Sequence, residues 1–145
     1  MSLFSHDTKV EALRRAPLFA GLSSKELAEL ARHSEDVEVP AGKVLAREGD
    51  IGHEFFVVVE GQAEFSRGGQ PIEMHQPGDF FGEISLLENT RRMATVTAAT
   101  PLRFFVLTEV EFRSLVDEHP EIELKVLRAA AKRLSALAER EPSLL

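Results

Sequence analysis

The sequence predicts a mainly β fold, a jelly-roll-like β barrel (double-stranded β-helix) with N-terminal helices, a short internal helix and C-terminal helices. Between residues 36 and 107, short β-branched and aromatic runs alternate with turns that contain Gly or Pro, as in a β barrel. On both sides of that stretch, apolar residues recur at three- and four-residue spacing, as in amphipathic helices. We therefore expect one domain over 1–145, with a helical segment at 9–34, the barrel at 36–107 and helices at 108–140.

The composition fits a domain with its own core and excludes several classes of protein. The chain has 145 residues, is 43% hydrophobic and carries a formal net charge of −7. This acidic balance argues against a nucleic-acid-binding face. No apolar run reaches the length of a membrane span, and residues 1–10 lack the apolar core of a signal peptide, so we expect no membrane partner and a cytoplasmic location. The absence of Cys excludes a disulfide framework and a thiolate metal or redox site.

The N-terminal segment contains two predicted helices. The first covers 10–16 and stops at Pro17, and an apolar connector follows it. Ser23 or Ser24 is then typical of an N-cap, with Glu26 in the first turn, so the second helix is expected over 24–33.

The predicted strands are short and are bounded by turn signals, of which Gly68-Gly69 indicates a hairpin. They are expected at 36–39, 43–47, 54–60, 62–67, 72–75, 94–98 and 102–107.

Two helices are expected after the barrel. Thr108 is typical of an N-cap, and the helix behind it ends at His119-Pro120. Pro120 suits the first turn of the last helix, which is expected over 121–139 and to end at Glu141-Pro142.

The stretch 81–96 combines the parts of a site for a phosphorylated sugar. Gly82 lets the backbone approach a neighbour closely, and a helical turn over 83–87 offers N–H groups that suit an anion. Arg92 follows nine residues after Glu83, at the start of a β-like run. Its guanidinium can bind a phosphate through two parallel hydrogen bonds, and the Glu83 carboxylate can accept from a hydroxyl. Together these groups suit a ribose with a cyclic phosphate.

This stretch resembles the phosphate-binding cassette of the cyclic nucleotide-binding domains. Those domains occur in catabolite activator proteins, protein kinase A regulatory subunits and cyclic nucleotide-gated channels. Their pattern is Phe-Gly-Glu-Leu/Ile-Ala/Ser-Leu, a short variable loop, then Arg-x-Ala-Thr/Ser-Val, and the present chain fills every position. The runs Pro-Ala-Gly-Lys-Val-Leu-Ala-Arg-Glu-Gly-Asp and Phe-Phe-Val-Val-Val-Glu-Gly also resemble the family, so the likeness covers residues 13 to 137.

The resemblance implies a regulatory sensor whose ligand is cAMP or cGMP. It implies that Arg92 and the N–H groups of 84–86 hold the phosphate, and that Glu83 accepts from the ribose 2′-hydroxyl. The residues expected at the ligand are Phe81, Gly82, Glu83, Ile84, Ser85, Leu86, Arg92, Met93 and Ala94.

Several of these assignments have alternatives. Arg91 takes the place of Arg92 if the loop length differs, and Glu83 can serve only as a helix-start carboxylate. Ser85 can be a buried helix residue, or it can add its hydroxyl to a backbone N–H. Many cGMP-selective relatives carry Thr or Ser where this chain has Met93. The thioether therefore favours cAMP, although a Met can equally crowd a pocket that binds nothing.

The last helix can pack on the barrel or against the same helix of a second chain, or it can close over the base of the nucleotide. In the catabolite activators, hydroxyl side chains late in this helix contact adenine, and the matching positions fall near Leu137 and Ala138, which are apolar. We therefore expect an apolar cap over the base, from Leu134, Leu137 and Ala138. The stripe of Leu127, Leu134 and Leu137 allows a homodimer through this helix, but it spans too few heptads to require one.

No enzyme motif is present in the sequence. His53-Glu54 begins like a zinc-protease motif, but the fifth position is Val57 in a predicted strand. A metal-dependent cupin shares the barrel shape and needs paired histidines, and no His-x-His occurs. We therefore expect no enzyme and no metal or cofactor, and a sensor without its own DNA-binding or catalytic domain that acts on an unknown effector protein. The alternatives are an interaction domain that keeps the fold without the ligand, and a regulatory fragment of a longer transcription regulator.

Overall fold

The computed structural model describes residues 6–140, which form two four-stranded antiparallel sheets with helices at both ends. The strand order is β1-β8-β3-β6 in the first sheet and β2-β7-β4-β5 in the second. The predicted fold class, a mainly β barrel of jelly-roll type with flanking helices, is confirmed. The strands are β1 (Glu35–Val39), β2 (Val44–Ala46), β3 (Glu54–Glu60), β4 (Ala63–Arg67), β5 (Gln70–His75), β6 (Phe80–Phe81), β7 (Thr95–Ala98) and β8 (Leu102–Thr108).

The helices stand before, inside and after the sheets. Among the described residues, no helix combines the length and apolarity needed to cross a bilayer. The helices are α1 (His6–Arg15), a 3-10 turn (Pro17–Phe19), α2 (Ser24–His33), α3 (Glu83–Glu88), α4 (Glu109–Glu118) and α5 (Pro120–Arg140).

Two of the helix starts are fixed by reciprocal hydrogen bonds of the capping-box type. The Ser23 side chain accepts from the Glu26 N–H while Glu26 accepts from the Ser23 N–H, so Ser23 and not Ser24 is the N-cap. Thr108 and Glu111 form the same pair at the start of α4. Because these signals lie within four residues of one another, both helix starts could be predicted from the sequence.

The predicted bounds differ from the structure at a few ends. Helix α1 begins before residue 10, and β5 begins at Gln70, directly after the Gly68-Gly69 turn. The two-residue strand β6 was not expected. The predicted helix end at Glu141-Pro142 lies outside the described residues.

The core has two layers that meet at β3. Phe55 and Val57 pack against the helices, whereas Phe56 and Val58 pack between the two sheets. Both faces of β3 are therefore buried, which explains why 54–60 is a continuous apolar run and not an alternating one.

Strand β6 fixes the approach to α3. It pairs with β3 through Phe56 and Phe81, whose rings stack with their centroids 4.5 Å apart. The chain therefore enters α3 directly from a buried strand pair, and the start of α3 is held against the barrel.

His75 is a buried titratable residue in the second layer of the core. Its ring centroid lies 3.8 Å from that of Phe65, and neither ring nitrogen has a hydrogen-bond partner among the described residues. Burial, with a smaller contribution from the charge of Arg133, lowers the pKa of His75 from 6.5 to about 4, although Asp79 opposes the shift.

We predict that His75 makes stability depend on pH in the acidic range. Between pH 6.5 and 4, the unfolded chain holds a proton on this ring that the folded chain does not, so stability falls as the pH is lowered through that window. The loss is on the order of 3 kcal/mol. In urea titrations from pH 7 to 4, His75→Phe should show a shallower decline than the parent protein. The exposed control His53→Phe should decline like the parent, and equal slopes in all three proteins would refute the prediction.

Candidate functional site

A cavity of about 80 Å³ lies between the α3 region, the second sheet and α5. The cassette and α5, far apart in sequence, meet across it. Its lining residues are Ala46, Phe65, Ile72, Glu73, Phe81, Gly82, Glu83, Ile84, Ser85, Arg92, Met93, Ala94, Val96, Arg133, Ala136 and Leu137.

Gly82 is required by the backbone at the edge of this cavity. Its φ angle is +100°, in the left-handed region, and a Cβ there would lie 2.5 Å from the carbonyl oxygen of Glu54 and 2.8 Å from Nη1 of Arg92. A side chain at this position is therefore excluded by both conformation and space. Gly82 is also the N-cap of α3, and no side chain caps the helix start, so no capping side chain competes for the first N–H groups.

Arg92 is held in the cavity wall by the backbone of neighbouring elements. Its Nη2 donates to the carbonyl of Glu54 at 2.8 Å and its Nη1 to the carbonyl of Gly82 at 3.3 Å. The residue is 9% exposed. Burial lowers the pKa of its guanidinium, and the carboxylates of Glu54 and Glu83 oppose that shift. The guanidinium is thus partly desolvated, which strengthens its interaction with an anion.

Glu83 is the first residue of α3 and is 0% exposed. Burial raises the pKa of its carboxyl, while Arg133 and, to a smaller extent, Arg92 lower it. Its Oε1 lies 2.5 Å from Nη1 of Arg133. Its Oε2 is buried and has no hydrogen-bond partner among residues 6–140.

Arg133 is a site residue that the sequence reasoning missed. It projects from α5, pairs with Glu83 and also donates to the carbonyl of Phe80. Its guanidinium carbon lies 5.3 Å from the ring centroid of Phe80 and 5.9 Å from that of Phe65. A signal was available, since Arg133 stands in the buried stripe of α5, three residues after Ala130 and four before Leu137. A charged residue in an apolar stripe indicates a buried partner.

The contact of Arg133 is part of a wider attachment of α5. Arg140 donates to the carbonyl of Ile72 at 3.1 Å, and Lys125 donates to the carbonyl of Pro17 at 3.0 Å. Helix α5 is therefore fastened to the cavity wall at two points and to the N-terminal segment at a third.

The structure brings most of the predicted ligand residues to the cavity. Leu86 is different, because it is fully buried in the core cluster on the helical side of β3 and does not line the cavity. Of the predicted base cap, Leu137 lines the cavity, whereas Leu134 is 42% exposed and Ala138 lies outside the lining. The predicted residues that line it are Phe81, Gly82, Glu83, Ile84, Ser85, Arg92, Met93 and Ala94.

Arg91, the alternative to Arg92, points elsewhere. It is exposed and its Nη1 donates to the carbonyl of Gly49 at 3.0 Å. Within residues 6–140, no group of three or more His, Cys, Asp or Glu side chains is arranged to hold a metal ion.

The chain matches a known protein family over most of the two sheets and α4. The profile of the cyclic nucleotide-binding domain matches residues 36–119, which is more than half of the chain. The chain belongs to the cyclic nucleotide-binding domain family.

The relatives of the chain include a channel, a kinase regulatory subunit and a transcriptional regulator. A cyclic nucleotide-gated potassium channel of Rhizobium etli is 38% identical over 117 residues, which are 81% of this chain and 33% of the channel. A cAMP-dependent protein kinase regulatory subunit of Eremothecium gossypii is 36% identical over 76% of this chain and 24% of its own. A CRP-like cAMP-activated global transcriptional regulator of Mycobacterium tuberculosis is 28% identical over 86% of this chain and 58% of the regulator. The chain thus spans between a quarter and three fifths of the length of these relatives.

Solved structures of the family share the fold. The cAMP-bound PfPKA-R superposes with a TM-score of 0.86 at 25% identity, over 92% of this chain and 46% of that one. The regulatory subunit of a cAMP-independent protein kinase A from Trypanosoma brucei superposes with a TM-score of 0.78 at 23% identity, over 88% of this chain and 46% of that subunit.

We predict that Glu83 and Arg133 are energetically coupled. Removing the guanidinium leaves a buried carboxylate without its main counter-charge, so Arg133→Met should lower the free energy of unfolding by about 3 kcal/mol. Glu83→Gln/Arg133→Met should recover part of that loss, because the amide is neutral. Urea denaturation of the parent, the two single variants and the double variant measures the coupling. Additive effects would show that the two side chains do not stabilise each other.

Proposed function

We propose that the chain is a cyclic nucleotide-binding regulatory sensor that takes cAMP in preference to cGMP. The observation that carries the proposal is the pairing, in one cavity, of a buried guanidinium with a buried carboxylate oxygen that accepts no hydrogen bond from the described residues. A ribose with a cyclic phosphate supplies both an anion for Arg92 and a hydroxyl donor for Glu83.

The phosphate is proposed to bind Arg92 and the N–H groups at the start of α3. The carbonyls of Glu54 and Gly82 use two of the five N–H groups of the guanidinium, which leaves donors for a phosphate. The chain as a whole carries a charge of −7, so Arg92 and Arg133 provide the local positive potential that an anion needs. This explains why both guanidiniums line the cavity and neither is on the open surface.

The ribose 2′-hydroxyl is proposed to donate to Oε2 of Glu83. A buried carboxylate oxygen without a donor is costly, since an unsatisfied buried acceptor costs about 1–3 kcal/mol or more. A ligand hydroxyl at this atom removes that cost on binding. The stabilisation is therefore available to the bound state and not to the free one.

The base is proposed to rest on apolar side chains. Phe65, Ile72 and Met93 line one part of the cavity, and Ala136 and Leu137 line it from α5. The thioether of Met93 offers no hydroxyl to the amino group of guanine, which is the basis for preferring cAMP.

Ligand entry is proposed to require a movement of α5. The cavity of about 80 Å³ is well below the roughly 300–1,000 Å³ of pockets that enclose a small organic ligand, and Arg133 occupies the space between α5 and Glu83. The ligand would displace this side chain, and α5 would then close over the base. Such a ligand shifts the equilibrium only by its difference in affinity for the two positions of α5.

A second candidate is an interaction domain that keeps the fold without the ligand. The small cavity and the Arg133–Glu83 pair that closes it favour this alternative. For either candidate we propose that the output passes through an effector protein, and we propose no catalytic role.

We predict that Arg92→Ala weakens cAMP binding by about tenfold or more, since a hydrogen bond to a charged group contributes about 1.5–3 kcal/mol. Isothermal titration of nucleotide-stripped protein with cAMP and then cGMP measures both affinities. Arg91→Ala is the matched control and should bind like the parent.

Three results would contradict this proposal in different ways. If Arg92→Ala binds like the parent, the phosphate site is wrong. If Arg91→Ala is the weaker binder, the neighbouring arginine holds the phosphate. If neither nucleotide binds the folded parent protein, the interaction domain is the better interpretation.

We also propose a homodimer through the outer face of α5. Leu124, Leu127, Ala131 and Leu134 follow one another at spacings of three and four residues and are all exposed, so they form a seam suited to a second helix. Leu137, which the sequence stripe included, is buried against the cavity and does not belong to this seam.

If the chain forms this dimer, Leu127→Asp should lower the mass measured by sedimentation equilibrium to that of one chain. Ile51→Asp, which changes another exposed apolar residue, should leave the mass of the assembly unchanged. A parent protein that sediments as a single chain at every concentration would refute the dimer.

A further inference from the structure

A groove of about 660 Å³ runs between α2 and α4 and shares no lining residue with the cavity described above. Its floor is apolar and is formed by Leu30, Leu107 and Leu115. Val110 stands at its edge and is 78% exposed, more than any other large hydrophobic side chain that the structure describes. Because α4 has ten residues, the groove extends along about 15 Å of helix.

Apart from two histidines, the ionisable residues that line this groove are carboxylates. Four carboxylates line it, and among its described lining residues there is neither Lys nor Arg. Arg32 contacts Glu29 from outside the groove. The rim carboxylates are Glu26, Glu29, Glu111 and Glu118.

Two of the rim carboxylates are held in place by the helix caps. Glu26 accepts through Oε1 from the N-cap of α2, and its Oε2 lies 3.4 Å from Nδ1 of His119. Glu111 accepts through Oε1 from the N-cap of α4, and its Oε2 lies 3.6 Å from Nδ1 of His33. Side chains that are already ordered lose little conformational entropy when a partner binds.

We propose that this groove docks a basic amphipathic helix of a partner protein. The apolar face of such a helix covers Val110 and the leucine floor, and its Lys and Arg side chains meet the acidic rim. The proposal does not depend on nucleotide binding.

Fluorescence anisotropy with a labelled peptide tests the proposal. The probe is an amphipathic peptide of about 18 residues made of Leu and Lys at helical spacing, and the control peptide has Glu in place of Lys. We expect saturable binding of the Lys peptide to the full chain, weaker binding at higher salt and no binding of the Glu peptide.

Matched variants separate docking in the groove from general attraction to an acidic protein. Val110→Asp and Glu118→Lys should each weaken binding by about tenfold or more. Ile51→Asp and Glu139→Lys, which make the same kinds of change at exposed positions outside the groove, should bind within about twofold of the parent. Circular dichroism of each variant checks that it is folded.

The proposal is overturned by any of three results. The first is no saturable binding of the Lys peptide. The second is an equal loss in Glu118→Lys and Glu139→Lys, which indicates non-specific attraction. The third is a parent dimer that Val110→Asp dissociates, which makes a second copy the occupant.

Discussion

The burial of the Glu83 carboxylate is the constraint on which the arrangement of this molecule depends. A fully buried carboxylate is costly unless a positive charge compensates it, and the compensation comes from Arg133, fifty residues further along the chain. The ion pair therefore joins the start of α3 to the middle of α5. If a ligand hydroxyl donates to Glu83, as we propose, it acts on the same carboxylate, and ligand binding would be linked to the position of α5 through this side chain.

Close backbone contacts around Arg92 fix the conformation of the cassette. The carbonyl of Glu54 lies within 2.5 Å of where a Cβ on Gly82 would be, and the same carbonyl accepts from Arg92. Gly52 leaves room for the guanidinium on its other side, since a Cβ at Gly52 would lie 2.3 Å from Nε of Arg92. The guanidinium thus fills a slot between two glycines, and packing against the protein sets its position.

The parts of this structure that the sequence predicted are those whose causes are local. The N-caps of α2 and α4 and the Gly68-Gly69 hairpin each depend on residues within a few positions of one another, and strand β3 is visible as one apolar run. The cassette was predicted because its residues lie within 81–96. Arg133 was missed because its partner is distant in sequence. Strand β6 was missed because two residues are too few to show the alternating pattern of a strand. Leu86 was assigned to the phosphate through its backbone N–H, and its side chain belongs to the core, so the two roles involve different parts of the residue.

Helices α4 and α5 each contact one end of α3. Arg113 donates to the carbonyl of Leu86 at 2.5 Å and pairs with Glu109 at 3.1 Å, so α4 is attached to the end of α3, while α5 is attached to its start through Arg133. Helix α3 has only six residues, so both attachments act on one short helix. If the proposed ligand displaces α3, these two contacts connect the displacement to both α4 and α5. In that case a partner on α4 or α5 would be coupled to the ligand without contacting it, and the coupling would be reciprocal, because each of two linked binding events changes the affinity of the other by the same factor.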